Sequence, residues 1–109
     1  MLKKNKVLMI IIIFLSYSNL IFSAENFFEK GQQKYNLKKF EESKFLFQRS
    51  IVFDPKDAKS YLYLAKIYNL EKNEKEEEKN INTVLLLEPK NEEAIYMLIE
   101  IKLKKSNYT

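Results

Sequence analysis

FEESKFLFQRSIVFDP, residues 40–55, ends on an acid–proline pair, Asp54-Pro55, that returns as Glu88-Pro89. Proline has no amide hydrogen and disfavours helix in the residue before it, so each pair marks a helix end and a turn. Two stops at this spacing predict two copies of one helix-turn-helix unit, neither able to bury its apolar face alone. The stretch itself is helical in period. Phe40, Ser43, Phe47, Ser50 and Ile51 fall on one face, with Leu46 and Phe53 beside it. Small serines alternating with large phenylalanines predict two helices interlocking at short distance.

Upstream, Phe27, Lys30, Gly31 and Lys34 share one helical face, with Phe28 and Tyr35 on the adjacent strip. Glycine inside a helix costs about 1 kcal/mol relative to alanine, so Gly31 predicts the close approach of a neighbouring helix. Asn36-Leu37-Lys38-Lys39 reads as the turn into Phe40. Tyr35-Asn36-Leu37 echoes Tyr68-Asn69-Leu70 at an interval one position shorter than that between the prolines, which predicts a first turn one residue out of step.

Downstream, Asp57 is placed to cap a helix from Ala58 to about Leu70, and Asn91 stands at the same place in the next unit. That helix offers Tyr61, Leu64, Ala65 and Tyr68 for burial; its partner, from about Glu74 to Leu87, offers Ile81, Val84, Leu85 and Leu87. The partner begins with EKEEEK, residues 74–79, which holds no apolar residue. We read it as a solvated face with i, i+4 Glu-Lys pairs, since it lacks the spaced acids and glycine of a calcium loop. A last helix, Glu92 to about Lys105, carries Ile95, Leu98, Ile99, Ile101 and Leu103. Glutamates at its start and lysines at its end complement the helix dipole. With no helix following, it reads as a half-unit closing the stack.

Residues 1–24 have the form of an export signal: Lys3, Lys4 and Lys6 precede the apolar run Val7–Leu15, and Ala24 offers a small residue for cleavage. The alternative is an uncleaved anchor from Val7 to Phe22, although a span takes about 20 apolar residues. Either route predicts an exported body, periplasmic or elsewhere in the cell envelope, since the lysines favour a cytoplasmic N-terminus. The membrane enters only through this segment.

All 15 acids lie after residue 24, whereas three of the 19 bases lie before it; the remaining sixteen bases against fifteen acids leave a net charge of +1. Interleaved charges of so small a sum give no nucleic-acid footprint. The chain has no Cys and no His, which removes disulfides, thiolate metal sites, the usual general base and the common zinc ligands. No cofactor, metal or catalytic residue is expected, and an enzyme is the third choice of function.

These residues resemble the tetratricopeptide-repeat family, whose unit length of about 34 residues matches the interval between the two prolines. With the family's proline set on Pro55, its aromatic, glycine and second-helix positions fall on Phe27, Gly31, Phe40, Ser43, Phe47 and Ser50. Set on Pro89, the pattern lands on Tyr61, Leu64, Ala65, Tyr68 and Ile81, with departures at Glu74, Glu77 and Val84. The resemblance implies an all-α, antiparallel helix-turn-helix solenoid over residues 25–105, with units of about 24–57 and 58–91, a closing helix 92–105 and a tail 106–109.

It also implies a protein or peptide partner in a concave groove lined by the first helix of each unit. The implied groove residues are Phe28, Gln32, Tyr35, Asn36, Lys59, Leu62, Lys66, Asn69, Tyr96 and Glu100. Two lysines among aromatics and amides suit a segment with some acidic character. The subtype that clamps a terminal carboxylate with Lys and Asn has Phe28 and Gln32 at two of its positions here, which argues against it. The expected function is thus an exported interaction or scaffolding module of the cell envelope. The alternative is a self-associating structural protein, because about three stacked repeats are normally needed for stability.

Overall fold

The computed structural model describes residues 2–107, with the side chains of residues 3–17 and 26–107. Five helices follow in order: α1 (Leu2–Asn36), α2 (Phe40–Phe53), α3 (Ala58–Leu70), α4 (Glu74–Leu87) and α5 (Glu92–Asn107). Packing is chiefly between chain neighbours, α1 with α2, α2 with α3, α3 with α4 and α4 with α5. The result is two helical hairpins in series with a single helix on the end. The expected cleavage after Ala24 lies among side chains outside those described, as do the last two residues of the tail. Among the described residues, no helix is long and apolar enough to cross a membrane.

Both hairpin turns are built alike. Lys38 and Lys72 adopt the left-handed conformation, with φ of 59° and 58°. Lys38 N–H donates to Tyr35 O and Lys39 N–H to Lys34 O; Lys72 N–H donates to Asn69 O and Asn73 N–H to Tyr68 O, each at 2.9–3.0 Å. This is the paired 6→1 and 5→2 bonding that satisfies the last carbonyls of a helix. The two turns therefore keep the same interval as the two prolines, and the one-residue offset expected from the Tyr-Asn-Leu echo is corrected. Tyr35 has Asn69, not Tyr68, as its structural counterpart.

Helix starts follow the same repetition. Asp57 accepts from Lys59 N–H at 3.2 Å and Asn91 from Ala94 N–H at 3.0 Å, as expected of caps. Asn73 caps α4 by accepting from Glu76 N–H at 3.3 Å.

In the first hairpin, Ser43, Phe47 and Ser50 of α2 are buried, with Phe47 packed on Phe28 and Gly31 of α1. A Cβ built on Gly31 would lie 2.8 Å from Phe47 Cε1, and the Ser43 hydroxyl donates to Gly31 O at 2.8 Å. The buried face of α1 is thus Phe28 and Gly31 with Tyr35 half-buried, rather than the expected Phe27, Lys30, Gly31 and Lys34. Lys30 is exposed, and Phe27 stacks at the rim on Phe53 with ring centroids 5.5 Å apart.

Two apolar clusters result. One joins Phe28, Phe47, Leu64 and Ile67, with Tyr63 and Tyr35 packed on it. Tyr63 reaches Phe28, Tyr35 and Phe47 at centroid distances of 5.8, 5.2 and 4.9 Å, so a single α3 side chain ties the second hairpin to the first. The other joins Ala58, Ala65, Ile81, Val84, Ala94, Met97 and Ile101. On α5 the buried residues are therefore Ala94, Met97 and Ile101, while Ile95 and Ile99, expected on the packing face, are exposed.

The acidic start of α4 is not simply a solvated face. Glu77 is 4% exposed and accepts a 3.0 Å hydrogen bond from Asn69 Nδ2. Glu78 binds Lys102 and Lys105 of α5 at 2.8 and 2.5 Å and Glu74 binds Lys105 at 3.5 Å, so two of these acids hold the closing helix, while Glu76 pairs with Lys79 one turn away at 3.8 Å.

Candidate functional site

The first helix of each hairpin and the closing helix share one side of the stack. Tyr35 from the end of α1, Lys66, Asn69 and Leu70 from α3, and Glu93, Tyr96, Met97 and Glu100 from α5 line an open groove of about 390 Å³ there. It gathers residues from three helices that are not neighbours in the chain. A larger depression of about 670 Å³, around Phe45 and Leu46, lies within the first hairpin alone, and two of its charges, Lys34 and Glu42, are paired at 2.7 Å.

Five of the ten expected residues meet in the groove: Tyr35, Lys66, Asn69, Tyr96 and Glu100. The other five do not line it. Phe28 is 8% exposed and packs on Phe47 and Tyr63 in the core, because α1 is rotated by about one residue from the face read in the sequence. Gln32 is half-buried and donates to the Tyr63 hydroxyl at 3.1 Å. Leu62 packs against the second apolar cluster. Lys59 lies 4.9 Å over the Phe28 ring, and Asn36 is exposed beside the turn.

Groove electrostatics reverse the expected charge preference. Lys66 Nζ is 2.6 Å from Glu93 Oε1 and 4.9 Å above the Tyr63 ring, so this cation is already matched. Glu100 is exposed and adds a second carboxylate, leaving one base against two acids. Asn69 is held from behind by Glu77, whose carboxyl is pushed above its usual range by burial, against the opposing pull of the Asn69 hydrogen bond and Lys104. The wall is thus fixed, while Tyr96, 63% exposed, offers its ring to the open side.

Leu70, Glu93 and Met97 belong to the groove but were not anticipated. In the sequence Glu93 reads only as an acid favouring a helix N-terminus, and its link to Lys66 appears once α5 is seen to pack beside α3. Among the described residues, no group of three or more His, Cys, Asp or Glu side chains is placed to hold a metal ion.

A scan against models of protein families finds no match for the sequence, and a comparison with curated proteins finds none either. Solved structures do match. The second TPR domain of the human RPAP3 protein, in complex with the HSP70 peptide SGPTIEEVD, superposes with a TM-score of 0.68 at 25% identity, over 73% of this chain and 67% of that one. The first TPR of Spaghetti (RPAP3), bound to the HSP90 peptide SRMEEVD, superposes with a TM-score of 0.50 at 17% identity, over 77% and 94% of the respective chains. The recurring acid–proline stops, the paired left-handed turns, the Gly31–Phe47 contact and this likeness of fold agree: the chain has the fold of tetratricopeptide-repeat domains.

Proposed function

We propose that the chain is a protein-interaction module of the cell envelope that holds a peptide or a partner helix against the groove formed by α1, α3 and α5. The observation that carries this reading is the convergence of Tyr35, Lys66, Asn69, Tyr96 and Glu100 from three helices on one open surface. The solved relatives hold acidic peptides; here the acidic balance of the groove favours a segment that places a basic side chain toward Glu100 and Glu93 and an apolar one on Tyr96. Export is supported by the lysines at 3, 4 and 6 before Val7–Leu15, a run whose side chains are all exposed.

A photoreactive residue at Glu100 in the full-length chain, expressed in its own cells, tests the reading, with the same residue at exposed Leu86 as control. The expected result is a discrete adduct from position 100 and none from 86. Equal labelling from both sites, or none from either, overturns the groove. Recovery of the intact chain from the cytosol overturns export.

A further inference from the structure

We infer that the N-terminal part of α1 stays on the exported chain as a helix spanning the membrane, which tethers the groove to a lipid surface; this rests on the export proposed above and adds the fate of its leader. A removable leader would be cut after Ala24. Ala24, however, has a place in the repeat. Ser23 and Ala24 precede Asp57 and Ala58 by the interval that separates the two prolines, and Asn91 follows Asp57 at the same interval. Asp57 and Asn91 cap helices, and Ala58 is the first residue of α3, 3% exposed in the second apolar cluster. A cut after Ala24 would therefore open the chain inside its first unit, beyond the positions that start the second. The small residue at 24 is accounted for by the repeat, and Phe22, where a leader takes a second small residue, is bulky.

Nor does α1 start where α3 does. It runs unbroken from Leu2 to Asn36. Each amide N–H in a helix bonds the carbonyl four residues before it, so a break after Ala24 would strip that partner from residues 25–28. Phe28 is the last of these, 8% exposed and packed on Phe47 and Tyr63, and its neighbour Phe27 stacks on Phe53. The aromatic contacts that close the first hairpin and dock the second would then hang on a frayed first turn.

Upstream, the surface of the helix fits lipid. From Val7 to Ile13 every side chain is apolar and 49–64% exposed. Successive residues turn by about 100°, so this run goes almost twice round the helix and leaves no polar direction. A groove on a protein covers one face of a helix, whereas a bilayer covers all of them. The Ser16 hydroxyl donates to Ile12 O at 2.8 Å, which satisfies it within the helix, as hydrocarbon requires. The described side chains of this segment end at Tyr17, short of a span. The sequence carries it on without a charge to Ala24, about 27 Å of helix from Val7 against a hydrocarbon core of about 30 Å. Lys3, Lys4 and Lys6 stand at one end and Glu25, the first acid of the chain, at the other; the lysines hold their end in the cytoplasm. Tyr35 lies about 16 Å beyond Ala24 along the same helix, so the groove is held close over the lipid.

Membranes from cells that make the full-length chain are washed with alkaline carbonate, and the intact mass of the retained chain is measured. Expected is a chain that still carries residues 7–24, in the carbonate-resistant pellet. The chain has no cysteine, so single thiols report without background. On spheroplasts, a charged maleimide that does not cross membranes should label Val52→Cys, 73% exposed on α2, and should label Ile11→Cys several-fold less until detergent is added. A recovered chain that lacks any of residues 7–24 overturns the anchor and leaves export standing. Release of the intact chain by carbonate, or equal labelling of the two thiols before detergent, overturns the anchor as well. Intact chain in the cytosol overturns export and the anchor together, while the adduct at Glu100 reads the groove independently of these results.

Discussion

Gly31→Ala should destabilise this protein, although alanine is the better helix former. In an open helix the change is worth about 1 kcal/mol in favour of alanine. Here the new Cβ would lie 2.8 and 2.9 Å from Phe47 Cε1 and Cδ1. Phe47 is fully buried and its ring is flanked by Phe28 and Tyr63, with centroids 5.7 and 4.9 Å away, so it has no free direction in which to turn. Overpacking of this kind costs about 1–3 kcal/mol, which leaves a net loss of about 1 kcal/mol after the propensity gain. For a domain of this size that is a fall in Tm of about 4–8 °C. The test is a double-mutant cycle with Phe47→Leu, which removes the ring atoms nearest the new methyl, read by urea denaturation followed by circular dichroism. In the Phe47→Leu background, Gly31→Ala should become neutral or stabilising by up to about 1 kcal/mol. If Gly31→Ala stabilises the parent and the two substitutions add without coupling, the claimed contact does not hold the hairpin together.

Further outcomes follow from other sites. Ser60 Oγ is buried and has no hydrogen-bond partner among the described residues, so Ser60→Ala should raise stability by about 1 kcal/mol, read as a higher urea midpoint at unchanged slope. Burial raises the Glu77 carboxyl above its ordinary value, so the folded state holds that proton more tightly than the unfolded chain. The associated stability is complete below the ordinary carboxylate range and is lost as pH climbs through the raised value. Glu77→Gln, which keeps an acceptor for Asn69, should therefore melt higher than the parent at neutral pH, the gap closing toward acid pH. Asp57→Ala and Asn91→Ala should each lower stability by about 1 kcal/mol, because each side chain caps a helix start, and the two losses should add.

The fold was legible because its signals are ones that sequence displays directly. The prolines stop α2 and α4, Asp57 and Asn91 announce their helices, and Gly31 foretells Phe47. The turn register was not legible, because it rests on left-handed Lys38 and Lys72, and lysine carries no turn signature of the kind glycine gives. A written echo of Tyr-Asn-Leu stood in for backbone conformation and misled by one residue. Faces proved harder than ends. Adjacent Phe27 and Phe28 satisfy a helical period equally well, and only the position of α3 selects Phe28. Tyr63 and Ile67 were overlooked for a related reason: a helix inside a stack has two packing faces, and reading α3 for one apolar stripe finds only the side toward α4. In the groove, Tyr35, Lys66, Asn69, Tyr96 and Glu100 were recoverable from the family pattern, whereas Glu93 acquires its meaning from Lys66, which stands on a different helix.

That packing is chiefly between helices next to one another in the chain bears on how the protein is made. The first hairpin can close as soon as Phe53 is clear of whatever conduit delivers it, before α3 exists. Tyr63 then docks the next segment onto a surface already formed. Growth proceeds by local additions, without the slow search for distant partners that delays sheet proteins, so the chain suits vectorial assembly from its first hairpin toward α5.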